Sequence, residues 1–262
     1  MAVLREVGVP SIKNQAAYIN KLATYEKELG TATAGLIGLH TCLEERTEND
    51  LVMMLKTFDE AYVLLNNQRA FHSLDSLERG LNCRVRFSPY QNDLQVGLSR
   101  LTENLEGKTR EVSCCVVGSA MFALLALRAG LEIEAGYNPE NFHALAVVPG
   151  ERKFFDVDQN YSGWHHFRSS RVIITGSPFL FIPSLIIFNV DCQKGRKAPT
   201  GLLQQLALAE TINPYYVELY KLRSSLLKEI GDLPAARQCE KEAKTLELLV
   251  NLGSDLRELA AH

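Results

Sequence analysis

The feature that most constrains the fold is a change of periodicity near the middle of the chain. Residues 113–129 have the apolar pattern of a helix, and Gly130 suits the stop at its C-terminus. Strand-like runs follow at 131–137, 142–148, 152–158, 171–175 and 179–189, with Asn-Pro, Pro-Gly, Ser-Gly and Gly-Ser-Pro between them. One helix followed by consecutive strands predicts an α+β core in which the helix packs on an antiparallel sheet.

Helical patterns flank this core on both sides. Ser11 and Thr47 are placed to cap two helices, and leucines spaced from Leu94 to Leu105 indicate a third. Near the other end, Asn213-Pro214 opens one helix and Gly231-Asp232 separates it from the next. We therefore expect an N-terminal helical part over residues 1–106, the α+β core over 107–198, and a C-terminal helical extension over 199–262.

The C-terminal extension is similar to a single tetratricopeptide-like hairpin. Five small or aromatic positions match that pattern and three depart from it; the matches are Tyr220, Ser224, Gly231, Ala236 and Ala243, and the departures are Arg223, Glu240 and Leu248. One repeat cannot bury its own apolar face, so the hairpin should pack on the core. The pattern fits a hairpin without a partner at least as well as it fits a module that binds a protein partner.

Charge and hydropathy exclude two classes of partner. The 262 residues carry a net charge of −3, so nothing indicates a surface for nucleic acid. The first residues lack the apolar core of a signal peptide, and the most apolar run, 179–188, is too short to span a bilayer and contains Pro183. We expect a soluble, cytoplasmic protein without a membrane partner, and export by a route that leaves no readable signal stays open.

The six cysteines are scattered and form no CxxC pair, which argues against a zinc site and against a disulfide framework. Any special cysteine must therefore be identified by its surroundings. Ser113 is a plausible N-cap, and it places Cys115 in the first turn of a helix. There the unpaired backbone N–H groups favour a thiolate, and the N–H of Cys115 can point at a developing oxyanion. Its neighbour Cys114 is almost as well placed, so position alone leaves both open.

Among the six histidines, His143 lies in a predicted strand whose hairpin partner is readable. Pro149-Gly150 suits a tight turn. If Val148 faces Glu151 across that turn, His143 lies directly opposite Asp156, at a Cβ–Cβ distance of about 4.5–5.5 Å. A carboxylate there can bind one imidazole nitrogen and leave the other for a nucleophile.

The same register would place Asp158 opposite Asn141, which favours Asp156 as the partner of His143. A bulge would shift the register by one residue and move Asp156 to the other face of the sheet. The assignment therefore depends on the conformation of the turn.

Three segments of the core resemble the transglutaminase-like domains of the papain-like superfamily. They are "CVVGSAMFALLALRAGL" (115–131), "FHALAVV" (142–148) and "FFDVD" (154–158). They are similar to the helix that begins with the nucleophile, the His-Ala-aromatic strand and the Phe-Asp strand. Leu145 stands where the aromatic is usual, and no glycine precedes Cys115. The longer segment "FFDVDQNYSG" also resembles the arylamine N-acetyltransferases of the same clan.

The resemblance implies a catalytic core with Cys115 as nucleophile, His143 as base and Asp156 as orienting carboxylate. It implies a transfer of acyl groups from a peptide, a carrier-bound thioester or a CoA thioester to an amine or to water, without a metal or an organic cofactor. A thiol protease or another hydrolase of this fold is one alternative. A catalytically inactive protein that binds a partner through its C-terminal hairpin is another.

The remainder of the expected site is less well defined. In papain-like enzymes a glutamine upstream of the cysteine supplies a second oxyanion donor; Thr109 holds that offset here, and Gln91 and Asn92 lie farther back. Cys114, Asp158 and Trp164 are weaker candidates for oxyanion or substrate contacts. Trp164 and the two histidines after it, His165 and His166, are expected in a loop.

Overall fold

A computed structural model describes residues 30–41, 48–81, 94–108, 115–138, 143–151, 153–156, 163–166, 174–176 and 178–251 of the chain. This part has an α+β fold. Its helices are α1 (Thr31–Thr41), α2 (Glu48–Asn67), α3 (Leu74–Leu81), α4 (Leu94–Leu105), α5 (Cys115–Arg128), α6 (Phe181–Gln193), α7 (Pro199–Ile212), α8 (Val217–Glu229) and α9 (Leu233–Asn251). Its strands are β1 (Glu134–Asn138), β2 (His143–Val147), β3 (Lys153–Asp156), β4 (Gly163–His166) and β5 (Ile174–Gly176).

The five strands form one sheet in the order β4-β3-β2-β1-β5, and each neighbouring pair is antiparallel. The predicted antiparallel sheet is therefore confirmed. The expectation that Trp164, His165 and His166 lie in a loop is wrong, because these residues form β4, in which Trp164 pairs with Phe155. A strand of four residues has too little pattern of its own to be recognised, and its pairing with β3 defines it.

The strand predicted over residues 179–189 is also wrong. A 3-10 turn, Pro178–Leu180, leads into α6, whose residues are buried on almost every side. A continuous apolar run does not distinguish a buried strand from a buried helix, because neither shows an amphipathic period. Pro183 is compatible with the helix because it lies in the first turn, where the backbone N–H has no partner within the helix.

Helix α5 is the centre of the fold. Every residue from Val116 to Ala126 is buried, and the helix contacts α1, α4 and α6 as well as strand β2. The predicted stop is confirmed: Gly130 has φ +76°, the Gly130 N–H donates to Leu127 O, and the Leu131 N–H donates to Ala126 O. These two bonds satisfy carbonyls that the helix itself leaves free, and only glycine adopts that φ without strain.

Phe122 joins α5 to the sheet. Its ring stacks on Phe155 of β3 with 4.0 Å between centroids, and both side chains are fully buried. We expect Phe122→Ala to lower the free energy of unfolding by about 3–5 kcal/mol, because the cavity removes contacts from both layers. Urea denaturation measures this, and Val63→Ala on the exposed face of α2 is the control, with an expected change within about 0.5 kcal/mol. A loss for Phe122→Ala as small as that of the control would contradict this packing.

The N-terminal region is helical where it is described. Helices α2 and α4 match two of the predicted helices, and the leucine pattern of 94–105 coincides with the observed bounds of α4. The proposed caps Ser11 and Thr47 and the helix predicted after Ser11 lie outside the described residues.

The C-terminal hairpin consists of α8 and α9. Gly231 has φ +83° between them, and the Asp232 carboxylate accepts a hydrogen bond from the Ala235 N–H at 3.1 Å. Leu219 and Leu226 of α8 and Ala243 of α9 belong to the same apolar cluster as α5 and the inner side of the sheet. The hairpin therefore buries its apolar face on the rest of the fold, as its pattern predicted.

A buried polar group also attaches the C-terminal helices to the sheet. The Tyr137 hydroxyl of β1 donates to Glu218 Oε2 of α8 at 2.5 Å. Burial, and then the nearby charge of Glu218, raise the pKa of Tyr137, so it stays a donor at every accessible pH. Beside it, the Tyr216 hydroxyl donates to Leu180 O and so accepts from Ser184 Oγ at 2.8 Å.

None of the helices in the described ranges combines the length and the apolar composition that a transmembrane span requires.

Candidate active site

The structure brings His143 and Asp156 together at one end of the sheet. His143 is the first residue of β2 and Asp156 is the last of β3, and antiparallel pairing places these two positions at the same end. The His143 Nε2–H donates to Asp156 Oδ1 at 2.6 Å. The two side chains are only 11% and 8% exposed, so water competes weakly for this hydrogen bond.

The register that led to this pairing is nevertheless wrong. Val147 pairs with Phe154 and Ala146 with Phe155, which shifts the strands by two residues from the predicted alignment. Asp156 is therefore diagonal to His143 rather than directly opposite. A shift of two keeps every side chain on its predicted face, so the contact survives. The argument against Asp158 depended on the wrong register, and Asp158 lies outside the described residues.

The turn explains the shift. The Glu151 N–H donates to Val148 O at 3.2 Å and Gly150 has φ +73°, as expected for Pro-Gly in the middle of a tight turn. The twist of such a turn does not match that of the paired strands. The ladder resumes only where the Val148 N–H donates to Lys153 O at 3.0 Å, so the connection is two residues longer than predicted.

Cys115 completes the arrangement. It is the first described residue of α5 and its side chain is partly exposed, whereas the predicted cap Ser113 lies outside the described residues. The Cys115 sulfur lies near enough to the imidazole to raise the pKa of His143. Because Nε2 is bound to Asp156, Nδ1 is the ring nitrogen that is free for the sulfur.

The surroundings keep His143 protonated. Burial by itself lowers its pKa, but hydrogen bonds to Asp156 and Cys115, together with their negative charges, outweigh that effect and raise the pKa of His143 to about 10. The imidazole is therefore cationic at neutral pH. A cationic imidazole beside a cysteine is an arrangement that activates a sulfur nucleophile.

The pH dependence of alkylation tests this coupling. At pH 6 we expect the parent to react with iodoacetamide at Cys115 at least about tenfold faster than His143→Ala, because His143 is cationic at that pH and a neighbouring cation speeds the reaction of a cysteine sulfur. The difference should shrink as the pH rises toward 10, where His143 loses its proton and an ordinary thiol is ionised as well. Equal rates at pH 6 would show that the two side chains are not coupled.

Two neighbours of the site were missed in the sequence. Asn138 pairs directly with His143 across the β1–β2 ladder and is buried, whereas the Asn-Pro pair at 138 and 139 was interpreted only as turn punctuation. Ser119, one helical turn after Cys115, donates to Ala144 O of β2 at 2.9 Å. Ser119 could have been identified from the sequence, because its hydroxyl lies in an otherwise apolar helix. No signal in the sequence identified Asn138, because the register of β1 against β2 was not predicted.

The weaker candidates stay predictions. Cys114 lies outside the described residues, as do Thr109, Gln91 and Asn92, so the second oxyanion donor is unassigned. The backbone of Trp164 lies in β4, whose last residues pair with the start of β3.

Within the described ranges, no group of three or more His, Cys, Asp and Glu side chains is arranged to hold a metal ion. Comparison of the chain with protein-family models, with curated protein sequences and with solved structures found no match.

Proposed function

We propose that the chain is a cysteine-dependent acyl-transfer enzyme with a transglutaminase-like core, in which Cys115 is the nucleophile. The observation that carries the proposal is the hydrogen bond of 2.6 Å between His143 Nε2 and Asp156 Oδ1, beside a cysteine, Cys115, whose interaction raises the pKa of His143. A thiol, an imidazole and a carboxylate in that order are the parts that nucleophilic acyl transfer needs.

In the first half-reaction the Cys115 thiolate attacks the acyl carbon of an amide, ester or thioester. The oxyanion that forms is stabilised by the backbone N–H of Cys115 at the start of α5. The tetrahedral intermediate collapses, the bond to the leaving group breaks, and His143 gives its proton to the departing nitrogen, oxygen or sulfur. Asp156 holds the imidazole by Nε2 throughout.

In the second half-reaction an amine or water attacks the Cys115 thioester. His143 takes the proton of the attacking group, the carbon–sulfur bond breaks, and the thiolate is restored. An amine acceptor gives transfer and water gives hydrolysis. The same three residues serve both outcomes, so the proposal is a cysteine acyltransferase with a thiol hydrolase or protease as the close alternative.

Intact-mass spectrometry tests the proposal. The protein is incubated with acetyl-CoA, a p-nitrophenyl ester and a mixed peptide library, with and without a primary amine such as hydroxylamine. We expect an added acyl mass on the protein that disappears when the amine is supplied, with formation of the acylated amine. If no donor leaves a mass on the parent, or if Cys115→Ala gains the same mass, the proposal is wrong.

A binding role is the alternative from another class. A groove of about 450 Å³ lies between α8 and α9, and it is lined by lysine and glutamate side chains, with Lys221 and Glu247 joined at 2.7 Å. A protein that acts only through this hairpin would keep its binding when Cys115 is replaced. Its Cys115 thiol would react with iodoacetamide no faster than an ordinary cysteine.

A further inference from the structure

We infer that Ser119 is a positioning residue that fixes the Cys115 helix against the His143 strand; this inference rests on the proposed function. Ser119 Oγ donates to Ala144 O at 2.9 Å, and both residues are buried. Ser119 follows Cys115 by one helical turn, and Ala144 follows His143 directly. One hydrogen bond therefore links the elements that supply the nucleophile and the base.

The choice of partner shows that the bond is a tertiary one. A serine inside a helix usually donates to the carbonyl four residues earlier, which here belongs to Cys115. Ser119 donates instead to a strand carbonyl that is 25 positions away in the sequence. The single proton of the hydroxyl is therefore donated to the sheet and not to a carbonyl of its own helix.

The surroundings explain why such a bond would be needed. From Val116 to Ala126, helix α5 is buried among apolar groups, and Ser119 is its only polar side chain in that stretch. Apolar contact is not directional, so it resists a small slide or rotation of the helix less than a hydrogen bond of fixed geometry does. A displacement of about 1 Å at reacting groups can cost about 100-fold in rate.

The test compares three serine variants with the parent and takes His143→Ala as the reference for a site without the imidazole. Ser119→Ala removes the hydrogen bond, Ser119→Thr keeps a hydroxyl, and Ser184→Ala is the matched control. Ser184 is likewise a buried serine in an apolar helix, but that helix is α6, and its hydroxyl contacts Tyr216 rather than a residue of the site. For each protein we would measure the rate of acylation in a single turnover and the ratio of the iodoacetamide rates at pH 6 and pH 9.

For Ser119→Ala we expect the acylation rate to fall by about 10-fold to 100-fold. Its pH 6 to pH 9 ratio should move toward that of His143→Ala, because the sulfur and the imidazole no longer meet. On a logarithmic scale, the acylation rate of Ser119→Thr should lie at least halfway between that of Ser119→Ala and that of the parent. Ser184→Ala should keep the parent's rate and ratio when all four proteins are equally folded by circular dichroism at the assay temperature.

Two failures are distinguishable. If the parent itself has the pH ratio of His143→Ala, there is no coupled pair and the proposed function fails. If the parent differs from His143→Ala but Ser119→Ala matches the parent or Ser184→Ala in both measurements, the role of Ser119 is refuted while the proposed function stands.

Discussion

Replacing Cys115 by alanine is expected to reduce acylation of the protein by at least about 10³-fold, because the variant lacks the sulfur on which the proposed acyl-enzyme forms. Among the three described free cysteines, Cys115 is the one that interacts with His143. The measurement is the rate of acyl incorporation by mass spectrometry under single-turnover conditions.

Two further cysteines serve as controls for that result. Cys192→Ala tests a thiol that is partly exposed like Cys115, but burial and then the charge of Asp191 raise the pKa of Cys192 and make it less reactive. Cys114→Ala tests the sequence neighbour. Cys192→Ala should acylate within about twofold of the parent, as expected for a group outside the reaction, and Cys114→Ala should still form the acyl-enzyme. If Cys114→Ala loses acylation and Cys115→Ala keeps it, the nucleophile is misassigned.

Replacing Asp156 by asparagine is expected to lower the acylation rate by about 10²-fold to 10⁴-fold. Asparagine keeps the size of the side chain but removes the charge that holds His143 in its orientation and supports its protonation. Single-turnover acylation, with circular dichroism as a check on folding, measures the loss.

The pH dependence should change in the same variant. Without the Asp156 charge the pKa of His143 falls, so the faster alkylation of Cys115 relative to His143→Ala should disappear at a lower pH than in the parent and persist longest near pH 6. Asp191→Asn on exposed α6 surface is the matched control and should behave as the parent does. An Asp156→Asn protein with the parent's rate and pH profile would remove Asp156 from the mechanism.

The part of the fold that the sequence predicted best is the part with strong local signals. The backbone requires Gly130 at the end of α5, and Cys115 is the first described residue of the same helix. Strands β1, β2 and β3 are short, but turn residues bound them. These features depend on neighbours in the chain, so a local pattern is enough.

The errors arose where distant contacts decide. In α6 the apolar run is buried on almost every side, and burial on every side removes the period that would separate helix from strand. Strand β4 exists because β3 pairs with it. Neither partner is visible in the segment itself.

The site shows the same division. The residue types and their order predicted Cys115, His143 and Asp156, and the contact of His143 with Asp156 is present although the register behind it was wrong. The face of the strand was right because the error was an even number of residues. The bond from Ser119 to Ala144 joins residues that no local pattern relates, so only the packed structure reveals it.

The most direct test of the central claim is to locate the acyl group. The protein is mixed with an acyl donor, quenched in acid, digested and sequenced by tandem mass spectrometry across the peptide that contains Cys114 and Cys115. The account predicts the acyl mass on Cys115, in the parent but not in His143→Ala. An acyl group on Cys114, on Cys192 or on a lysine, or equal labelling of Cys115 without His143, would contradict it.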